Sequence, residues 1–300
     1  MEQTTQVGFW KKNQKALAPW LFLSPGIFMF ILYVIYPIFQ SIGISFYEWD
    51  GLGPKTYVGF QNYIDLLDDD SFITSLKNNL IWLVLYLLAI PLGLAVALFL
   101  NQTVTGIRLY KSFFFFPFVI SQVVVGLIFT WFYAPGFGIL PHIINFFTGT
   151  PTAILADDKY ATYGVIAAGL WPQTAYCMIL YLTGLNNISP DQVEAARMDK
   201  AKGWKMLWYI IIPQLRPATF IALVVTVIGA LRSFDLISIM TVGGPFGSTR
   251  VLSYFMYEQA LSEYGTAVGY GAAIAVVLFV IMLVFISMFI VRMLAQERNA

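Results

Sequence analysis

Long apolar stretches divide this 300-residue chain, and they constrain its fold more than any other feature. Residues 78–107 contain no charged side chain, and comparable apolar stretches recur along the chain. Hydrophobic residues make up 59% of the sequence and charged residues 11%, whereas soluble domains carry about 25% charged residues. A chain this apolar cannot cover its surface with polar groups, so its solvent must be lipid.

Six apolar segments are each long enough to cross a bilayer as a helix. A spanning segment must satisfy its own backbone hydrogen bonds, and the alternation typical of a membrane barrel is absent, so we predict an all-α polytopic membrane protein. The predicted spans lie at about residues 20–47, 78–103, 112–133, 161–185, 217–240 and 266–292. They form one membrane domain (20–292), with an N-terminal segment (1–19), a loop between the fourth and fifth spans (186–216) and a tail (293–300).

The distribution of lysine and arginine predicts the orientation of these spans. Twelve of these residues fall on the side that holds both termini and the loop at 186–216, and four fall on the other side. Cytoplasmic loops of membrane proteins carry the excess of basic residues. We therefore expect both termini and this loop to be cytoplasmic, and the long loops rich in Asp and Glu to be external.

The loop between the fourth and fifth spans concentrates charge in an otherwise apolar chain. Its charged residues include Glu194, Arg197, Asp199, Lys200, Lys202 and Lys205. Ser189 suits the N-cap of a helix, Pro190 suits its first position, and Gln192 completes a capping-box pattern. Gly203 then interrupts the helix, and a second helical stretch runs towards Pro213. A short helix of this kind either docks a partner in water or lies on anionic lipid, and the residues alone leave both open.

The order of several motifs resembles the permease subunits of binding-protein-dependent ABC importers, in the carbohydrate-uptake branch of the maltose and glycerol-3-phosphate type. Glu194-Ala195-Ala196, followed by Gly203 and Pro213, is similar to the EAA loop of those permeases. The resemblance covers nearly the whole chain through Tyr36-Pro37, Ser45–Gly51, Val58–Tyr63, Asn78-Asn79, Arg108, Phe114–Pro117, Phe234-Asp235, Thr241–Pro245 and Gly269–Ala273. Two positions depart from the family pattern: Ser189 stands where proline is usual, and Lys200 where glycine usually follows the aspartate.

The resemblance implies a type I importer permease with a cytoplasmic coupling helix, in a bacterial inner membrane, that moves a sugar or sugar derivative by alternating access. It implies no catalytic residue, metal or cofactor in this chain, which has no P-loop pattern. ATP and Mg²⁺ are expected in a pair of separate cytoplasmic ATPase subunits. A second, related permease, a soluble binding protein and membrane lipid are the other implied partners, and no nucleic acid. The implied coupling residues are Glu194, Ala195, Ala196, Asp199, Lys200, Gly203 and Pro213, and the implied docking residues for the binding protein are Gly243, Gly244 and Pro245.

Polar side chains inside the predicted spans indicate a substrate path, because a charge at mid-span costs about 2.5–3.5 kcal/mol and usually faces protein or water. Arg232 and Asp235 lie three positions apart in the fifth span, and they could pair with each other or contact substrate. Aromatic and amide groups in the fourth span suit the C–H faces and hydroxyls of a sugar, although aromatic core packing is the alternative. The candidate substrate contacts from these residues are Trp171, Gln173, Tyr176, Arg232 and Asp235, and the family resemblance implies contacts near Gln173, Tyr176 and Ser233.

Three other classes of membrane protein fit the composition less well. A secondary transporter would carry internal repeats and mid-span carboxylates, but Asp235 is the sole carboxylate in the predicted spans and no halves match. A membrane enzyme or metal site would need a constellation that one cysteine (Cys177) and one histidine (His142) do not make. A scaffold for partner helices would not need the charges of the fifth span.

Overall fold

The computed structural model describes residues 9–102, 104–150, 152–262 and 266–297. Within these ranges the regular secondary structure is helical except for one two-stranded antiparallel ladder, in which Tyr47 pairs with Tyr57 and Glu48 with Thr56. The first helices, α1 and α2, are joined by a π-helical turn, Ile31–Ile35. The elements in chain order are α1 (Phe9–Phe30), α2 (Tyr36–Ile44), β1 (Tyr47–Glu48), β2 (Thr56–Tyr57), α3 (Gln61–Asp68), α4 (Asp70–Tyr86), α5 (Ala89–Leu100), α6 (Ile107–Val119), α7 (Gln122–Phe132), α8 (Ile139–Thr148), a 3₁₀ turn (Ile154–Ala156), α9 (Ala161–Asn186), α10 (Pro190–Met198), α11 (Trp204–Met206), a π-helical turn (Leu207–Ile211), α12 (Ile212–Gln214), α13 (Arg216–Leu231), α14 (Asp235–Met240), α15 (Leu252–Ala260) and α16 (Val268–Glu297).

Four helices are long and apolar enough to cross a membrane without interruption: Ala18–Ile44, Asp70–Leu100, Ala161–Asn186 and Val268–Met293. Two further candidates are bent pairs. Helices α6 and α7 meet at 99°, and the helical run Trp204–Gln214 meets α13 at 69°. The described part of the chain thus has four continuous candidate spans, or six if each bent pair crosses once.

The prediction of one continuous third span over residues 112–133 is wrong. The helix stops at Val119, Ile120 is extended, and Ser121 begins a new helix by accepting a hydrogen bond from the Val124 N–H at 3.4 Å. A serine hydroxyl offers the backbone an acceptor that competes with continuation of the preceding helix. The break turns α7 away from α6 and leaves Ser121 beside a polar cavity described below.

The first helix lies outside the bundle along most of its length, and none of its most apolar window is buried. The C-terminal end of this first span is held by α3. Asn62 donates to the carbonyls of Ser45 (2.8 Å) and Tyr47 (3.0 Å), and the hydroxyls of Ser45 and Tyr63 lie 2.6 Å apart. An apolar helix without packing partners is stable only in an apolar solvent, which here is lipid or another subunit's helices.

Close approach of α5 and α9 forms the centre of the bundle. Ala89, Gly93 and Ala97 recur every four residues on one buried face of α5. A Cβ atom on Gly93 would lie 2.5 Å from the Cβ of Cys177 and 2.8 Å from the N of Met178. Small residues at this spacing let two membrane helices pack backbone to backbone, where dispersion contacts rather than exclusion of water stabilise the pair.

We expect Gly93→Ala to lower the thermal midpoint of unfolding, because the added methyl group overpacks the α5–α9 contact at a cost of about 1–3 kcal/mol. Gly26→Ala in α1 is the matched control, since a Cβ there meets nothing within 4 Å. Both variants gain the same intrinsic helix propensity, so the difference between their midpoints in detergent isolates the contact. Equal midpoints for the two variants would contradict the packing described here.

Candidate functional site

A polar cavity of about 330 Å³ lies beside the point where α13 gives way to α14. Arg232, Ser233 and Asp235 line it from the break itself, and Gln173 lines it from α9. Aromatic side chains close its other side, where Trp82 and Tyr86 stand one turn apart on α4 with ring centroids 5.0 Å apart. The cavity therefore combines charged, amide and hydroxyl groups with two aromatic rings.

The fifth predicted span, 217–240, is not continuous, and the break determines whether Arg232 and Asp235 can pair. Helix α13 ends at Leu231 and α14 begins at Asp235. Arg232 stands at the C-terminal end of one helix and Asp235 at the N-terminal end of the next, where each charge complements a helix dipole. In the part of the chain that the structure describes, the one ion pair joins Arg250 and Glu258, so Arg232 and Asp235 do not pair. The break removes the shared helical face that pairing would need, and both residues are left exposed.

A ladder of polar side chains joins α9 to α13, from Gln173 at the cavity towards the C-terminal end of α9. Gln173 donates to the Thr226 hydroxyl at 2.9 Å, and the Cys177 sulfur lies 3.7 Å from the same oxygen. One turn further on, Tyr181 donates to the Thr219 hydroxyl at 3.1 Å. Polar pairs between membrane helices stabilise their association, so these contacts tie the fourth and fifth spans together.

Two of the predicted substrate contacts line other cavities. Tyr176 lines an adjacent space of about 370 Å³, which shares Gln122 and Gln173 with the first cavity, and its ring stacks on Phe118 at 5.2 Å. Trp171 lies on a different face of α9, in an apolar cavity of about 400 Å³ with Phe116. The structure thus brings together Gln173, Arg232, Ser233 and Asp235, places Tyr176 next to them, and separates Trp171 from the set.

The charged loop, residues 186–216, contains the predicted short helix as α10. Ser189 is its N-cap and Pro190 its first residue, but the Ser189 side chain makes no capping hydrogen bond, so the predicted capping box does not form. The helix start relies instead on the fixed φ of Pro190 and the charge of Asp191. Glu194, Ala195 and Asp199 are exposed, Pro213 is half-buried, and Ala196 is buried within this chain.

Lys200 occupies a backbone position that favours glycine. Its φ is +61°, and it follows the last turn of α10 in a Schellman motif. The Lys200 N–H donates to the Arg197 carbonyl at 3.0 Å, and the Ala201 N–H donates to the Ala196 carbonyl at 2.9 Å. A left-handed conformation costs a residue with a Cβ about 1–2 kcal/mol. Gly203, with φ +54° and ψ −121°, then turns the chain into the second helical run.

The loop before α15, residues 241–251, is held by side chains of two spans. Asn78 donates to the carbonyls of Ser248 (2.6 Å) and Arg250 (2.8 Å), and Thr162 donates to the carbonyl of Ser248 (3.0 Å). Asn79 accepts from the Leu252 N–H at 2.8 Å. Gly243 is buried, Gly244 and Pro245 are half-buried, and the Phe246 ring next to them is fully exposed. The tip of this loop is therefore presented on a rigid base.

Comparison with known proteins decides the family. The model of the family described as "Binding-protein-dependent transport system inner membrane component" matches residues 89–299. This chain belongs to that family. It is therefore a membrane transport component and not an enzyme.

Relatives of this permease share most of its length. A probable ABC transporter permease protein of Pyrococcus horikoshii is 35% identical over 270 residues, covering 89% of this chain and 92% of the relative. The sn-glycerol-3-phosphate transport system permease protein of Agrobacterium fabrum is 31% identical over 270 residues (89% and 91% covered). The multiple sugar-binding transport system permease protein of Streptococcus mutans is 32% identical over 269 residues (87% and 90% covered).

The fold of the permease is also found in a solved structure. A chain in the crystal structure of a bacterial alginate ABC transporter, in complex with an alginate pentasaccharide-bound periplasmic protein, superposes with a TM-score of 0.80. The alignment covers 94% of this permease and 95% of that chain, at 22% sequence identity. At this level of identity the likeness establishes the fold alone.

The residues that line the polar cavities and that sequence reasoning missed include Trp82, Tyr86 and Gln122. Trp82 and Tyr86 follow Asn78 at intervals of four, so they continue one helical face from the residue that holds the 241–251 loop. This periodicity is a signal that could have identified them. Gln122 is a polar residue in an apolar stretch, and it was hidden because the break before it was not predicted.

Replacing Lys200 by glycine should stabilise the end of α10, because glycine adopts positive φ without strain. We expect amide exchange at residues 196–201 to slow about fivefold, which corresponds to about 1 kcal/mol. Lys200→Ala removes the charge but keeps the strained Cβ, so it should exchange like the wild type, and Lys200→Asn should fall between. Slower exchange in Lys200→Ala equal to that in Lys200→Gly would show that the lysine charge, not φ, matters.

Asn78→Ala should loosen the 241–251 loop, because it removes two hydrogen bonds that each contribute about 0.5–1.5 kcal/mol. Hydrogen exchange measured by mass spectrometry should accelerate in peptides covering 241–251 and stay unchanged in α10. Asn187→Ala is the control, since Asn187 is exposed. The bracing role of Asn78 is refuted if exchange in the loop is the same in both variants.

Proposed function

We propose that this permease forms one half of the membrane pathway of an ATP-driven importer for a sugar or sugar derivative. Relatives named for sn-glycerol-3-phosphate and for multiple sugars support this substrate class. The observation that carries the proposal is the polar cavity at the break in the fifth span. There Gln173, Ser233 and two unpaired charges face the aromatic rings of Trp82 and Tyr86.

The chemistry of this cavity suits a carbohydrate. Sugars present hydroxyl groups, which exchange hydrogen bonds with amides, hydroxyls and charged groups, and C–H faces, which pack on aromatic rings. Gln173 gives one amide hydrogen to the Thr226 hydroxyl, and its carbonyl oxygen is left to accept from a substrate hydroxyl. Tyr176, in the adjacent space, extends the path past Gln122.

The charged loop would couple this cavity to a pair of cytoplasmic ATPase subunits that bind ATP and Mg²⁺. Helix α10 and its C-cap present Glu194, Ala195, Arg197 and Asp199 to solvent, a charged surface of both signs with a small side chain within it, suited to a groove on another protein. The following run has a different surface, since Trp204, Trp208 and Tyr209 are exposed. Aromatic residues of this kind favour the membrane–water interface. The loop thus supports both alternatives at once, with docking by α10 and lipid contact by the second run.

Two helices can transmit movement from this loop to the cavity. Helix α9 runs without interruption from Ala161 to Asn186, and its last residue lies just before α10. Gln173 stands about 20 Å from that end, at about 1.5 Å per residue. Helix α13 leads from the other end of the loop to Arg232, and the polar ladder ties it to α9. ATP-driven movement of α10 would shift both walls of the cavity as rigid bodies and expose it alternately to the two sides.

The predicted orientation also places the other partners of this permease. Both termini and the charged loop are cytoplasmic in this proposal, and a second, related permease completes the cavity. A soluble binding protein docks on the outer surface near Gly243, Gly244 and Pro245, with the exposed Phe246 ring at the contact. On the turn that follows the first span, Asp50 accepts hydrogen bonds from the Gly53 and Leu52 amides, which lowers the pKa of its carboxyl and keeps this turn negatively charged.

Reversing one charge on α10 tests the coupling. We expect Glu194→Lys to reduce co-purification of the ATPase subunits with this permease and to abolish ATP-dependent uptake in proteoliposomes, because a basic partner group would be repelled. Gln192→Lys adds a lysine on another face of the same helix, and it should leave both readouts near the wild-type level. Full ATPase recovery with Glu194→Lys would contradict docking by α10. Uptake that proceeds without ATP and collapses with an uncoupler would contradict the importer itself.

A further inference from the structure

A groove of about 310 Å³ between α6 and the end of α9 is not used by the transport pathway. It is polar at one end, where Lys111 and Ser112 on α6 face Thr183 and Asn186 on α9. It is apolar at the other end, where Phe115, Ile179 and Leu182 line it. The polar end lies at the last turn of α9, next to the charged loop, so it stands where a spanning helix reaches the membrane surface.

The polar end is equipped to hold an anion that also carries a hydroxyl group. Lys111 has no carboxylate within ion-pair distance in the described part of the chain. The Ser112 hydroxyl donates to the Arg108 carbonyl and the Thr183 hydroxyl to the Ile179 carbonyl, both at 3.0 Å, so their oxygens are left to accept. The Lys111 ammonium and the Asn186 amide supply the donors that a phosphate needs, and the two hydroxyl oxygens can accept from a polar headgroup.

We propose that this groove binds one anionic phospholipid of the phosphatidylglycerol class, with its phosphate at Lys111 and Asn186 and an acyl chain along Phe115, Ile179 and Leu182. Charge complementarity selects this occupant. A free phosphate would leave the apolar half of the groove unused, and an apolar helix of another subunit would leave the Lys111 ammonium without a counter-charge. A phospholipid satisfies both halves at the depth where its headgroup and chain meet.

Lipid retention measured on the assembled transporter tests this site directly. The complex is exchanged into mild detergent with an equimolar mixture of phosphatidylglycerol and phosphatidylcholine, and bound lipid is counted by native mass spectrometry. We expect preferential retention of phosphatidylglycerol by the wild type, and about a fivefold weaker retention by Lys111→Ala, since one basic residue is lost. Arg292→Ala is the control, because Arg292 is an exposed basic residue at the end of the span in α16 and does not line the groove.

Three results would overturn the proposal. They are equal retention of the two lipids by the wild type, equal phosphatidylglycerol retention by the wild type and Lys111→Ala, and an equal loss in Arg292→Ala. Crosslinking from Thr183→Cys to a helix of the second permease would also overturn it, because the groove would then be a protein interface. Adding inorganic phosphate as a competitor distinguishes a lipid headgroup from a free phosphate as the occupant. We expect it to displace no phosphatidylglycerol. None of these readouts depends on uptake, so their outcome is independent of the proposed function.

Discussion

The requirement that backbone and charged groups be satisfied in lipid governs this structure, and it is hardest to meet at two of the helix breaks, the one before Ser121 and the one between α13 and α14. Both breaks lie beside the polar cavities. Ser121 and Gln122 follow the break between α6 and α7, and Ser233 and Asp235 lie at the break between α13 and α14. The two broken spans also touch, since Gly126 of α7 packs against Ile239 of α14. The two polar cavities share Gln122 and Gln173, so polar groups at both helix breaks can reach partners or solvent there.

The charges of the fifth span follow from the same constraint. In a continuous helix, Arg232 and Asp235 would satisfy each other and leave little for a ligand. Separated by the break, each is stabilised by a helix end and remains available to the cavity. Ser253 of α15 donates to the Ser233 carbonyl, so the break is also connected to the base of the 241–251 loop. This hydrogen bond would link a ligand delivered at the 241–251 loop to the cavity at the break.

The sequence predicted the apolar spans, the charged loop and the family, because hydrophobic length and motif order are local signals. It did not predict the break at Ser121, because a serine in an apolar run can cap a helix or simply face a neighbouring one, and only packing decides. It grouped Trp171 with Gln173, although residues two apart face different sides of a helix. At position 200 the family pattern predicts glycine, but the sequence alone gives no reason for that preference. The structure supplies the physical reason, which is the positive φ of a Schellman motif that Lys200 adopts at a cost.

In the proposed mechanism, the cavity at Ser233 opens alternately to the two sides of the membrane under the control of ATP. A single cysteine placed there, in Ser233→Cys with the buried Cys177 replaced by alanine, reports this with a membrane-impermeant thiol reagent. In oriented proteoliposomes that hold the full transporter, we expect labelling from the cytoplasmic side without nucleotide, and from the outer side with ATP and loaded binding protein. Labelling from one side only, unchanged by ATP and the binding protein, would contradict the account.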